Sequence, residues 1–159
     1  MALLVVDIAD LAVSRDPDTT LVTYSLGSCI GVSIWDPVVR AGGMLHYMLP
    51  DSALSPEKAG NAPGMFCDTG VPRLFRAIYE LGGIKSRLIV KVAGGSMLLD
   101  DRGTFNIGKR NYLALRQLFW KNGVMIDGED VGGSVSRTLR LHVGTGEVTV
   151  KTRDREVPL

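Results

Sequence analysis

Two cysteines and two histidines occur in the chain, and one of each stands in a setting suited to chemistry. Cys29 lies in Leu26-Gly27-Ser28-Cys29-Ile30-Gly31-Val32, where small neighbours leave a thiol accessible. His46 follows 17 residues later, in Gly42-Gly43-Met44-Leu45-His46-Tyr47-Met48-Leu49-Pro50. A cysteine hydrolase needs such a pair. The thiolate attacks a carbonyl, and an imidazole takes the thiol proton and later returns it to a departing amine. Backbone N–H groups in a tight turn, here around Gly27 and Ser28, can hold the oxyanion of the tetrahedral intermediate. A third group orients the ring by accepting its other N–H. Thr23, six residues before Cys29, offers a hydroxyl for that role. On residue types alone two readings stand: a catalytic pair, or a small buried thiol beside a hydrogen-bonded structural histidine.

The elements around these residues must bring them together. Residues 20–25 are β-branched and aromatic and predict a strand, interrupted by the Gly27-Ser28-Cys29 turn. Ile30, Val32 and Ile34 alternate with Gly31, Ser33 and Trp35, the period of a second strand. Asp36-Pro37 followed by Ala41-Gly42-Gly43 predicts a turn, and residues 43–49 a third strand antiparallel to the second. Such a hairpin returns the chain to the end where Cys29 sits. That is how 17 residues of separation can place His46 near the thiol.

Further along, residues 51–66 are rich in Ser, Pro, Ala, Gly and Asn and predict a surface loop. Pro72 suits a first helical turn, capped by Asp68 or Thr69. Leu74, Phe75, Ile78 and Leu81 follow at helical spacing until Gly82-Gly83. Residues 87–93 predict a strand stopped by Gly94-Gly95, and residues 107–121 a helix with Leu115, Leu118 and Phe119 inward. A short strand over 124–127 follows. Leu139, Leu141 and Val143 alternate with Arg140 and His142 in a strand that turns at Gly144-Thr145-Gly146 into a closing hairpin over 147–153. Seven or eight strands with two main helices predict a layered α+β (mixed α/β) domain rather than a doubly wound one.

Composition narrows the function classes. At 159 residues the chain is expected to form a single domain over 1–159. Hydrophobic residues make up 45% and charged residues 22%, and 18 basic against 17 acidic residues leave a net charge of +1. No basic stripe marks a nucleic-acid partner. The apolar start lacks a basic segment and a cleavage site, so it is not a secretory signal, and no run approaches the roughly 18 apolar residues of a membrane span. A cytoplasmic protein without membrane insertion is expected. Cys29 and Cys67 have neither metal-ligand spacing nor an oxidising compartment, and Cys67 reads as a small buried hydrophobe. His142 reads as exposed or structural. Glycine pairs at 94–95 and 132–133 match neither the dinucleotide nor the Walker pattern.

Five segments in order resemble one family: Leu26–Val32 and Gly43–Pro50 as quoted, then Lys91-Val92-Ala93-Gly94-Gly95-Ser96-Met97, Ile107-Gly108-Lys109-Arg110-Asn111, and Glu129-Asp130-Val131-Gly132-Gly133-Ser134. Together they resemble the bacterial chemotaxis deamidases of the CheD family, over about residues 19–151. The resemblance implies that Cys29 is the nucleophile, His46 the general base and acid, and Thr23 the residue orienting the ring, with Gly27 and Ser28 supporting the oxyanion turn. It implies hydrolysis of particular glutamine side chains to glutamate on the helical cytoplasmic part of methyl-accepting chemotaxis receptors. It also implies a layered sandwich with sheets inside and helices outside, similar to glutamine-deamidating toxins, and no metal or organic cofactor.

Against the family pattern, Gly70 and Pro72 in Phe66-Cys67-Asp68-Thr69-Gly70-Val71-Pro72 are expected to delay a helix start, and Ala93 and Ser96 replace commoner neighbours of the glycine pair. Two alternatives stay open. One is a mainly regulatory partner of the CheC phosphatase and the receptors, with little turnover. The other is an unrelated cysteine hydrolase of small amides.

Overall fold

The computed structural model describes residues 2–97 and 106–159. In chain order the strands are β1 (Ala2–Val5), β2 (Asp10–Ser14), β3 (Thr19–Leu26), β4 (Ile30–Asp36), β5 (Ala41–Tyr47), β6 (Ile89–Gly94), β7 (Gly128–Val131), β8 (Arg137–His142), β9 (Val148–Lys151) and β10 (Glu156–Pro158). The helices are α1 (Pro56–Asn61), α2 (Cys67–Glu80) and α3 (Ile107–Lys121). One sheet has the order β1-β3-β8-β9-β10 and the other β2-β5-β4-β6-β7. Both are mixed: β1 runs parallel to β3 and β6 parallel to β7, while the remaining pairs are antiparallel.

Alternation in β4 and β5 sorts the side chains into two layers. Ile30, Val32, Ile34, Leu45 and Tyr47 face a core shared with Leu74, Ile78, Leu115 and Phe119 of α2 and α3. The intervening positions face the other sheet, where Leu21, Leu26, Met44, Leu139 and Leu141 fill the gap. Each of these fully buried side chains contributes roughly 1.5–3 kcal/mol by leaving water. Gly31 is required by this second interface, because a Cβ there would lie 2.9 Å from Leu26 Cδ1 and 3.0 Å from Leu139 Cδ2. The layers are therefore sheet, sheet, helix, a sandwich of the expected α+β class.

Several local expectations need correction. Gly42 and Gly43 sit inside β5 rather than in the preceding turn, because Leu141 on one side and Val13 and Leu74 on the other leave no room for a Cβ. Residues 51–66 carry α1 flanked by two 3-10 turns instead of a plain loop. Helix α2 starts at Cys67, with Phe66 as its cap residue, so neither Asp68 nor Thr69 caps it and Pro72 lies inside it. The start is set by tertiary bonds: Cys67 N–H donates to Leu49 O at 2.9 Å, and Asp68 accepts from the Ser52 amide and hydroxyl. Gly70 does not delay the helix, since it lets α2 approach Leu45 closely. Residues 124–127 run irregularly, and the strand begins at Gly128 because Asp127 is occupied in bonding Val90 through its amide and carboxylate. Strands β1, β2 and β10 are additional to those expected.

Candidate active site

Cys29 sits where the chain changes sheets. Strand β3 ends at Leu26, the bend Gly27-Ser28-Cys29 crosses the gap, and β4 begins in the second sheet at Ile30. The β4–β5 hairpin pairs Ile30 with Tyr47 and Gly31 with His46. His46 and Gly31 thus lie directly opposite each other, and Cys29 precedes the first residue of β4 at the same end of the hairpin. The expected hairpin does bring the two residues to one end of the sheet, with the half-buried Cys29 packed into the inter-sheet core.

Thr23 reaches the same place from the opposite sheet. It alternates inward with Leu21 on β3, and a bulge follows, with Thr23 opposite Leu139 but Leu26 opposite Arg137. Three steps on β3 therefore match two on β8. The extra residue leaves both Tyr24 and Ser25 exposed, with Ser25 at φ 59°, and turns Leu26 back into the core.

Hydrogen bonding decides the protonation of the histidine. Thr23 Oγ1 donates its single proton to the Val6 carbonyl at 2.7 Å, since a carbonyl can only accept. The same oxygen lies 2.7 Å from His46 Nδ1 and must therefore accept from it. His46 is thus the Nδ1–H tautomer, and its Nε2 carries the lone pair. Nε2 is buried without a hydrogen-bond partner among the described residues. A bare, fixed base facing the inter-sheet space is what proton abstraction from a thiol requires.

Burial disfavours the charged form of both side chains. Burial lowers the His46 ring from its ordinary 6.5 to about 4. Burial likewise raises the Cys29 thiol, and its own backbone amide, which can bond the thiolate, offsets only part of that rise. Cys29 and His46 lie at the same end of the second sheet, with Nε2 of His46 unpartnered among the described residues.

The bend is held from two sides by residues to which the sequence analysis assigned no role. Gly95 N–H donates to Cys29 O at 2.9 Å and Ser96 N–H to Gly27 O at 2.8 Å. Gly94, at φ 115°, admits this approach: a Cβ there would lie 2.2 Å from Cys29 O. Buried Arg137 locks the glycine turn, donating to Ser96 Oγ at 2.7 Å, Gly132 O at 2.8 Å and Gly94 O at 3.3 Å. From α3, Asn111 Nδ2 donates to Ser28 O at 2.9 Å and Met48 O at 2.8 Å. One signal for Asn111 was available. It occupies the buried stripe of α3 with Leu115 and Phe119, where an amide is out of place unless it bonds something. The glycine pair at 94–95 bonds into the Cys29 bend, and the pair at 132–133 supports it from behind, Gly132 N–H donating to Gly94 O and Gly133 O accepting from Met97 N–H.

The remaining Cys and His stand apart from this geometry. Cys67 is buried in the helix-side core, and burial pushes its thiol up to about 12. His142 is half-buried on β8, its Nδ1 3.1 Å from Thr145 Oγ1.

A "probable chemoreceptor glutamine deamidase CheD 1" of Syntrophus aciditrophicus is 55% identical over 148 residues, covering 93% of this chain and 92% of that one. One from Anaeromyxobacter dehalogenans is 51% identical over 159 residues, all of both chains. One from Solibacter usitatus is 46% identical over 159 residues, all of this chain and 94% of that one. The chain belongs to the CheD family. The family model described as CheD chemotactic sensory transduction matches residues 48–152. That match begins after His46, so the CheD relatives aligned over the whole chain are what span Thr23, Cys29 and His46. Of the CheD-like segments, those at 94–97 and 107–111 and the glycine pair at 132–133 all converge on the Cys29 bend. No helix among the described residues is long and apolar enough to cross a membrane.

Proposed function

We propose that the protein hydrolyses the side-chain amide of specific glutamines on methyl-accepting chemotaxis receptors, with Cys29 as nucleophile, His46 as base and acid, and Thr23 as the residue that orients the ring. The observation that carries this reading is the Val6–Thr23–His46 chain of hydrogen bonds, which leaves Nε2 basic and unpartnered at the same end of the sheet as Cys29. Family membership at up to 55% identity to proteins named as probable chemoreceptor glutamine deamidases supports the substrate class. The cytoplasmic helical region of the receptors as target, a cytoplasmic location and a CheC-type phosphatase as regulatory partner rest on the family alone. Residues 1–159 act as one domain in this reading, since the N-terminal β1 and the C-terminal β9 and β10 belong to one sheet.

In this reading Cys29 makes the covalent bond and His46 moves the protons. Nε2 takes the thiol proton as Cys29 Sγ bonds to the carboxamide carbon, whose oxygen becomes the oxyanion held by amides of the Gly27–Cys29 bend. The Nε2 proton passes to the amide nitrogen, the C–N bond breaks and ammonia leaves a thioester. Nε2 then takes a proton from water, hydroxide attacks the thioester carbon, and the C–S bond breaks to release glutamate and the thiol. Thr23 Oγ1, accepting from Nδ1–H, stabilises the imidazolium that exists while Nε2 holds the transferred proton.

The test is a purified receptor cytoplasmic fragment incubated with the protein and read by mass spectrometry for glutamine converted to glutamate, with ammonia release alongside. Wild type should convert defined sites, and Cys29→Ala or Cys29→Ser should convert none while remaining folded. Undiminished conversion by Cys29→Ala sinks the assignment.

A further inference from the structure

We propose that Asn111 is a positioning residue of the deamidase site, aiming the Cys29 N–H at the oxyanion by pinning the Ser28 carbonyl from the helix side. The inference deepens the reading of Cys29 as nucleophile and rests on it.

The argument starts from the two acceptors. Ser28 O belongs to the residue just before the nucleophile, and Met48 O to the second residue after His46. One buried amide thus ties together the adjoining ends of β4 and β5, where the two reacting side chains stand. Tyr47, between them, anchors the helix in turn: its hydroxyl donates to the Asn111 carbonyl at 2.6 Å.

Peptide geometry converts this pin into an orientation. The peptide unit is planar and, with no cis bonds among the described residues, the Ser28 C=O and the Cys29 N–H point in opposite directions. Asn111 approaches from α3, on the outer face of the second sheet. The Cys29 N–H therefore points away from α3, into the inter-sheet space that Cys29 and His46 share. It is also the amide that can bond the Cys29 thiolate. A donor already directed at the sulfur lies next to the carbon the sulfur will attack, which is where an oxyanion donor belongs.

The choice of residue supports a role beyond packing. Asn111 is fully buried, and its Oδ1 has no hydrogen-bond partner among the described residues. An aliphatic residue here would deprive the Ser28 and Met48 carbonyls of this donor, and only a side chain with two N–H groups can hold both at once. A carboxamide supplies two N–H donors from one nitrogen without burying a charge.

The experiment compares two reactions of the same thiol. Deamidation develops an oxyanion. Alkylation by iodoacetamide forms the S–C bond by displacing iodide and develops none. Both are measured on wild type, Asn111→Ala, Asn111→Asp and Cys29→Ala, with a receptor cytoplasmic fragment as the amide substrate. For both Asn111 variants kcat should fall roughly 10- to 100-fold, part of what a lost oxyanion donor costs, with KM changed by no more than about threefold and Cys29 alkylation, which loses only the bond from that amide to the thiolate, slowed far less than deamidation. Asn111→Asp keeps the shape and presents an acceptor to both carbonyls, so it needs no cavity. Buried Cys67, unreactive while the fold persists, reports on folding in the same samples. An unchanged kcat overturns the proposal. A parallel loss of deamidation and alkylation, or exposure of Cys67 in both variants, assigns Asn111 to the fold alone and overturns it equally. Turnover by Cys29→Ala would remove the nucleophile reading itself, whatever Asn111 does.

Discussion

Thr23 Oγ1 lies 2.7 Å from His46 Nδ1, across the gap between two sheets, and its own proton is committed to the Val6 carbonyl. A residue in one sheet thereby sets the tautomer of a base in the other. The β1–β3 pairing that places Val6 is part of the same device, because without that carbonyl the hydroxyl could donate to Nδ1 and put the proton on the wrong nitrogen.

Replacement of Thr23 tests this relationship directly. Thr23→Val keeps the shape and removes the acceptor, so kcat should fall roughly 100-fold, at the low end of what general acid–base catalysis contributes. Leaving Nδ1–H buried and unpaired should also cost about 1–3 kcal/mol of stability in denaturant titrations. Thr23→Ser retains the hydroxyl and should restore most of kcat. Full activity in Thr23→Val would remove Thr23 from the site.

The depressed His46 ring gives a signed prediction for pH. Because the ring stays neutral down to about 4, the base is available throughout the mildly acidic range, and the acid limb of kcat/KM should fall near pH 4 rather than near 6.5. Stability moves with it. Between 6.5 and about 4 the unfolded chain binds a proton on this ring and the folded chain does not. The folded state therefore loses stability as pH falls through that window, by about 3 kcal/mol over its full width. His46→Gln should flatten this part of the pH–stability curve in chemical denaturation. An unchanged slope would show that the ring is not shielded as described.

Thiol reactivity separates the two cysteines. Burial raises both, Cys67 to about 12, and only Cys29 is partly exposed. Iodoacetamide should therefore label Cys29 well before Cys67 at every pH. Labelling of Cys29 should be slow at neutrality and climb into the alkaline range, as for a thiol without a resting imidazolium partner. A fast plateau at neutral pH would instead reveal a preformed thiolate–imidazolium pair.

Gly94 connects the glycine turn to Cys29. In Gly94→Ala the new Cβ would meet Cys29 O at 2.2 Å on a backbone at φ 115°. Strain of this kind costs about 1–3 kcal/mol, and relief requires moving the Cys29 carbonyl. Deamidation should drop at least about tenfold, since misplacement of a reacting group by 1 Å can cost 10²-fold. The melting temperature measured alongside should show a folded protein. An active Gly94→Ala would mean that the bend tolerates displacement.

Much of the local architecture was legible in residue order alone. The alternation Ile30, Val32, Ile34 marks β4, and the stripe of Leu115, Leu118 and Phe119 marks α3 with its bounds at 107 and 121. These periods are written into the chain because each element must bury one face. The small residues beside Cys29, and a hairpin long enough to return His46 to it, were legible for the same reason. The start of α2 was not. Its determinants are Leu49 O and the contact with Leu45, which lie in another layer and outweigh the local preferences of Gly70 and Pro72. Gly42 and Gly43 were misleading in the same way, since their smallness answers to Leu141, Val13 and Leu74 and not to a turn.

The sequence by itself determined which groups could react: one thiol among small residues, one histidine on the returning strand, one hydroxyl upstream. Only the tertiary structure decided how they act. The tautomer of His46 depends on a carbonyl 40 residues away in the chain, and the direction of the Cys29 amide on Asn111, 83 residues from Ser28. Proton position and peptide orientation are set by hydrogen bonds between layers, and those bonds exist only once two sheets and a helix have packed together.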